Sequence, residues 1–136
     1  LKMNLKVLHI EDNFADIILM QEVISELDID IDYEVANNGR EALQLLKQSA
    51  PLPDLIILDL NMPMMDGKEF LHHKLTVNPF QDIPTIILST STNEKDIVEC
   101  YDLGINAYLI KTVDFDGFHK MIASLLRFWS RITIKV

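Results

Sequence analysis

Five short apolar runs, separated by segments of helical periodicity, constrain the fold of this chain more than any other feature. The runs are residues 5–10 and 31–36, Leu55–Leu58, Thr85–Ser89 and Ala107–Ile110, each of strand length and most of them rich in β-branched residues. The first intervening segment carries Phe14, Ile17, Ile18, Leu19, Ile24 and Leu27; the second Ala42, Leu43 and Leu46; the third Phe70, Leu71 and Leu75. A fourth has Ile97, Val98 and Tyr101, and a fifth Phe118, Met121, Ile122, Leu125 and Trp129. Strand then helix, five times over, predicts an α/β domain: a doubly wound, five-stranded parallel sheet with helices on both faces.

Punctuation agrees with those boundaries. Asn13 is placed to cap the first helix with Asp16 three residues on, and Asp114 to cap the last. Gly39, Gly67 and Gly104 are read as connection residues, and Asn78-Pro79 as the stop after the third helix. Residues 1–130 are expected to form one unit. The alternating "RITIKV" at 131–136 reads as a short β-like tail, with no separate output domain after it.

With 136 residues and 49% apolar content, the chain can furnish one core without disulfides or structural metals. The single cysteine, Cys100, has no internal partner and is read as a small apolar filler. No apolar run approaches the roughly 20 residues a membrane helix needs. These features lead to the expectation of a soluble, cytoplasmic protein without membrane association. Against 12 basic residues stand 21 acidic ones, and the formal charge of −9 disfavours nucleic acid as a partner.

Right-handed crossovers bring all strand C-termini to one edge of such a sheet, where ligands bind. The residues following the runs there are Glu11 and Asp12, Asp59, the Ser89-Thr90-Ser91 run, and Lys111. Three carboxylates held together repel one another unless a cation joins them. Mg²⁺ suits the set, because it takes oxygen ligands and commonly shares them with a phosphate. Three carboxylates and one lysine give −2, which Mg²⁺ cancels. Asp59 is then the candidate nucleophile toward phosphorus, and Lys111 the group that neutralises developing charge. A hydroxyl from Ser89 is placed to bond the phosphoryl group. Asn61, followed closely by Pro63, is placed to offer its backbone carbonyl to the metal. Met62, Met64 and Met65 are expected to shield the site. The four histidines, His9, His72, His73 and His119, are scattered or directly adjacent, which argues against zinc.

Four motifs in order, "IEDN", "DLNMPMMDG", the Pro84–Ser89 stretch and "AYLIK", resemble the receiver domain of two-component response regulators over nearly the whole chain. The resemblance implies the flavodoxin-like strand order 2-1-3-4-5. It implies phosphotransfer from a sensor histidine kinase, or a phosphotransfer protein, to Asp59, with Mg²⁺ held by Glu11, Asp12, Asp59 and the carbonyl of Asn61. Lys111 and Ser89 would stabilise the phosphoryl group, Ser89 and Tyr108 would form the switch, and Thr90 and Ser91 would govern access to the site. Such a protein catalyses only its own phosphorylation and dephosphorylation. The loop "TVNPFQDIP" and the helix end "LLRFW" are most like the stand-alone regulators paired with bacterial phytochrome kinases. Two positions depart from the family. Thr112 follows Lys111 where the family usually has a cis proline, so the loop either stores strain or turns differently. Thr90 stands where alanine or glycine is common, which implies narrower access.

Leu126, Phe128 and Trp129 exceed one buried stripe, so the last helix either exposes apolar area for a partner, a homodimer included, or packs it under the tail. A flavin-binding protein of the same class would need a phosphate loop where "EDN" stands. A phosphatase with an aspartate nucleophile wants a second acid two residues on, where Asn61 stands. The remaining alternative is a receiver-like interaction module that is not phosphorylated.

Overall fold

The computed structural model describes residues 4–133, and five strands and five helices alternate along them. The strands are β1 (Asn4–Ile10), β2 (Asp30–Ala36), β3 (Leu55–Leu58), β4 (Thr85–Ser89) and β5 (Ala107–Ile110). The helices are α1 (Phe14–Glu26), α2 (Gly39–Gln48), α3 (Gly67–Leu75), α4 (Glu94–Asp102) and α5 (Phe115–Ile132). All neighbouring strands pair in parallel, in the order β2-β1-β3-β4-β5. The fold class and strand order expected from the sequence are the ones observed.

Strand alternation divides the core in two. Leu8, Ile10, Ile56, Leu58 and Ile87 point to one face and pack with Ala42, Leu46, Phe70, Leu71 and Cys100 of α2, α3 and α4. Leu5, Val7, Leu55, Ile57, Ile86 and Leu88 point to the other and meet Met20, Val23, Phe118, Ile122 and Leu126 of α1 and α5. All four residues of β3 are buried, which is why that strand reads as an unbroken aliphatic run. Cys100 is a free, fully buried thiol in the first of these clusters, as its reading as a filler required.

Several sequence expectations are corrected. Gly39 and Gly67 open α2 and α3 rather than sitting in connections; Gly104 does lie in one, at φ +90°. In α1 the buried residues are Ile17, Met20 and Val23, while Phe14 and Ile18 face solvent. In α4 only Cys100 is buried, and Val98 and Tyr101 are exposed. Leu75 is exposed at the end of α3. The β-like tail does not begin at Arg131: α5 continues through Ile132 and is capped at Thr133, because the apolar stripe on which it packs runs on to Trp129. Residues 134–136 of that expected tail lie outside the described residues. Leu126 belongs to the core, Trp129 is half-buried against it, and Phe128 is exposed. Among the described residues no helix is long and apolar enough to cross a membrane.

Candidate functional site

The strand ends continue their ladders by one residue, and that continuation positions the site. Asp59 N donates to Ile10 O at 3.0 Å, Glu11 N to Ala36 O at 2.9 Å, and Lys111 N to Ser89 O at 2.8 Å. Each functional side chain therefore starts from backbone as rigid as the sheet. The loop after β3 is pressed against Asp59: Gly67 N donates to Leu60 O at 2.9 Å, and a Cβ on Gly67 would lie 2.5 Å from the Asp59 carbonyl. Only glycine fits there. In the same loop Met64 adopts φ 66°, a left-handed conformation that costs a non-glycine residue about 1–2 kcal/mol.

Glu11, Asp12 and Asp59 each offer a carboxylate oxygen, and these oxygens lie within 4.8 Å of one another. Lys111 Nζ stands beside them, 2.9 Å from Glu11 Oε1 and 3.7 Å from Asp59 Oδ1. With Asn13, Asp16, Asn61 and Thr90 they line an open cleft of about 630 Å³. A water occupies about 30 Å³, so the cleft has room for a hydrated cation and a phosphoryl group together.

Burial dominates the electrostatics. Glu11 is pushed up to about 7, chiefly by burial and further by Asp59, against the pull of Lys111. Asp59 is also raised, by burial first, with Lys111 opposing. Burial would lower Lys111, but its hydrogen bonds to Asp16 and Glu11 outweigh that and hold it above its ordinary value. Carboxyls reluctant to ionise beside one ammonium are a donor set that a divalent cation relieves. All-oxygen ligands at this spacing fit Mg²⁺ or Mn²⁺ better than a softer metal.

Of the residues singled out in the sequence, Glu11, Asp12, Asp59, Asn61, Thr90 and Lys111 meet at this cleft. Ser89, Ser91 and Tyr108 form an adjoining network instead. Ser89 is fully buried, and its Oγ accepts from Ser91 N at 3.1 Å. The Tyr108 hydroxyl donates to Ser91 O at 2.8 Å, and Ser91 Oγ donates to Asp96 Oδ2 at 2.8 Å. Asp96 is in turn paired with Lys68 of α3. The methionines do not shield the cleft: Met62 and Met65 pack toward the core beneath α2 and α3, and Met64 is exposed. The Lys111–Thr112 peptide bond is trans, so of the two alternatives the loop turns differently, and Lys111 still reaches the acids.

Two participants escaped the sequence reading. Asp16 Oδ2 accepts from Lys111 Nζ at 2.8 Å, although its spacing from Asn13 signalled only a helix start. His9 lies buried beneath the site with Nδ1 2.7 Å from the Tyr33 hydroxyl, and burial, then Lys111, lowers it to about 3. Its only signal was its place as the last polar residue of the first apolar run, one position before Ile10. No zinc-type cluster involves a histidine among the described residues.

Known proteins share this arrangement of sequence and fold. The family model of the response regulator receiver domain matches residues 7–123. The response regulator Rcp1 of Synechocystis is 37% identical over 129 residues, covering 90% of this chain and 87% of that protein. The crystal structure of the phosphorylated cyanobacterial phytochrome response regulator RcpA superposes with a TM-score of 0.90 at 34% identity, over 96% of this chain and 97% of that one. The Mn(2+)-bound form of Rcp1 superposes with a TM-score of 0.86 at 33% identity, over 96% and 98% of the two chains.

Proposed function

This chain belongs to the response regulator receiver domain family, and from that premise we propose that it accepts a phosphoryl group on Asp59 from a sensor histidine kinase or phosphotransfer protein. The observation that carries the reading is the meeting of Asp59 with Glu11, Asp12 and Lys111 in one cleft. An Asp59 carboxylate oxygen attacks phosphorus, the O–P bond forms as the P–N bond to the donor imidazole breaks, and the imidazole leaves with the electron pair and is protonated from solvent. A divalent cation, Mg²⁺ in this reading, would be held by Glu11, Asp12, Asp59 and the Asn61 carbonyl and would offset charge on the phosphoryl oxygens. Lys111 neutralises one further oxygen, its ammonium already directed into the cleft.

Phosphorylation would draw the Ser89 hydroxyl from Ser91 N toward the new phosphoryl oxygens, and Tyr108 would follow through its bond to the Ser91 carbonyl. Thr90, in the cleft lining, would govern access of water to the acyl phosphate, with Ser91 acting from the adjoining network. Signal output is protein contact, for which Val98, Tyr101 and Ile110 on α4 and β5, and Phe128 and Ile132 on α5, expose apolar area. Self-association through α5 is the form of contact that sizing the protein with and without a phosphoryl mimic tests directly.

Incubation with acetyl phosphate and Mg²⁺, followed by intact-mass measurement, tests the central step. One phosphoryl mass gained by the wild type and none by Asp59→Asn is the expected result. No gain at any Mg²⁺ concentration would instead identify an interaction module that signals by binding alone.

A further inference from the structure

We propose that Asp16 is a positioning residue for Lys111, a second counter-ion that draws the ammonium away from Asp59 and so sets how tightly the cleft holds a cation relative to a phosphoryl group. The inference rests on the phosphotransfer reading of the cleft. Lys111 Nζ lies 2.8 Å from Asp16 Oδ2 and 2.9 Å from Glu11 Oε1, both hydrogen-bond distances, but 3.7 Å from Asp59 Oδ1, which is beyond one. Two acids other than the phosphoacceptor thus take the ammonium's bonds.

The local structure explains why Asp16 is free to do this. It occupies the third position of α1, where an acid ordinarily reaches back to the backbone N–H of the capping residue. Here that N–H, on Asn13, donates to Glu11 Oε2 at 3.2 Å. Asn13 still caps the helix by accepting from Asp16 N. The Asp16 carboxylate, released from the capping box, crosses to a lysine 95 positions later in the chain.

Charge then decides the direction of the effect. Glu11, Asp12, Asp16 and Asp59 against Lys111 give the cleft a formal charge of −3. Adding a divalent cation leaves −1, so the cleft attracts metal strongly and still resists an incoming phosphoryl dianion. Without the Asp16 charge the metal-bound cleft is neutral, and Lys111 is free to turn to Asp59. Asp16→Asn therefore weakens binding of the cation alone and strengthens binding of the phosphoryl group. A general loss of structure would weaken both.

The test compares wild type, Asp16→Asn and Asp16→Glu by Mn²⁺ titration and by fluorine NMR of beryllofluoride uptake in Mg²⁺. The expected result for Asp16→Asn is metal affinity lowered roughly threefold and mimic affinity raised roughly threefold or more. Asp16→Glu, long enough to reach Lys111, restores both. Repeating the comparison in a Lys111→Ala background isolates the route, because an effect carried by the lysine falls by more than half there. Unchanged affinities in Asp16→Asn, or a change equally large without Lys111, overturn the inference. A wild type that takes up no mimic overturns the phosphotransfer reading itself.

Discussion

The two edges of the sheet use polar side chains in opposite ways. At the N-terminal edge, side chains satisfy backbone. Asp54 brackets the start of β1, accepting from Lys6 N and donating its own N–H to Lys6 O, both at 2.8 Å. Asn106 does the same for β4, accepting from Thr85 N at 3.0 Å and donating to Thr85 O at 2.9 Å. At the C-terminal edge the ladders run one residue further, and although the Glu11 and Ser89 side chains also accept from backbone, the carboxylates face one another across a cleft with like charges close together. One edge holds the sheet, and the other gathers like charges at the sheet's expense. A single scaffold can do both because a parallel sheet gathers all strand starts at one end and all strand finishes at the other.

The sharpest way to break that contrast is Asp59→Asn. It should remove phosphoryl uptake altogether and yet raise the melting temperature of the metal-free protein by several degrees near neutral pH. The sign follows from the raised carboxyl of Asp59: the folded state favours the neutral form, so ionising the group above its ordinary range costs stability that asparagine does not pay. A lowered melting temperature would show that the acidic edge holds the fold after all.

Metal binding should show the next largest effect. Because Glu11 is raised to about 7, a cation must displace a proton below that pH. Affinity for Mn²⁺ should rise by about tenfold per pH unit up to about 7 and then level, with proton release measurable by calorimetry in two buffers. His9, held near 3, stays neutral across that range and should add nothing. A flat profile from pH 5 to 8 would mean that Glu11 is ionised without metal.

At the opposite edge, Asn106→Ala removes the acceptor for Thr85 N and should cost about 1–2 kcal/mol in urea unfolding. Mass gain with acetyl phosphate should be unchanged, and a matching loss of uptake would erase the distinction between the edges. The smallest effect belongs to the network beside the cleft. Tyr108→Phe deletes the bond to the Ser91 carbonyl and should cost about 0.5–1 kcal/mol. It should leave phosphorylation intact while weakening any partner contact that depends on the β4–α4 loop.

How much of this was legible in the sequence differs by element. β3 was plain because "LIIL" is buried on both faces and nothing else accounts for such a run. The caps Asn13 and Asp114 marked helix starts because their side chains do what their residue types favour. The rotation of the helices was less legible. α1 is apolar nearly all round, so periodicity alone could not choose Met20 and Val23 over Phe14 and Ile18 as the inward face. Asp16 was hidden for a different reason, since an acid at the third helical position is an ordinary capping signal and its partner lies far along the chain.

The sequence by itself determined the alternation of strand and helix, and with it the edge at which Glu11, Asp12, Asp59 and Lys111 collect. Periodicity and strand-end position are local properties, and a parallel α/β sheet converts them directly into place. Only the tertiary structure decided which hydrogen bonds Lys111 makes, that Ser91 joins Ser89 to Tyr108, and that α5 runs through Ile132. Those depend on distances between elements far apart in the chain, set by how two packed layers settle against the sheet.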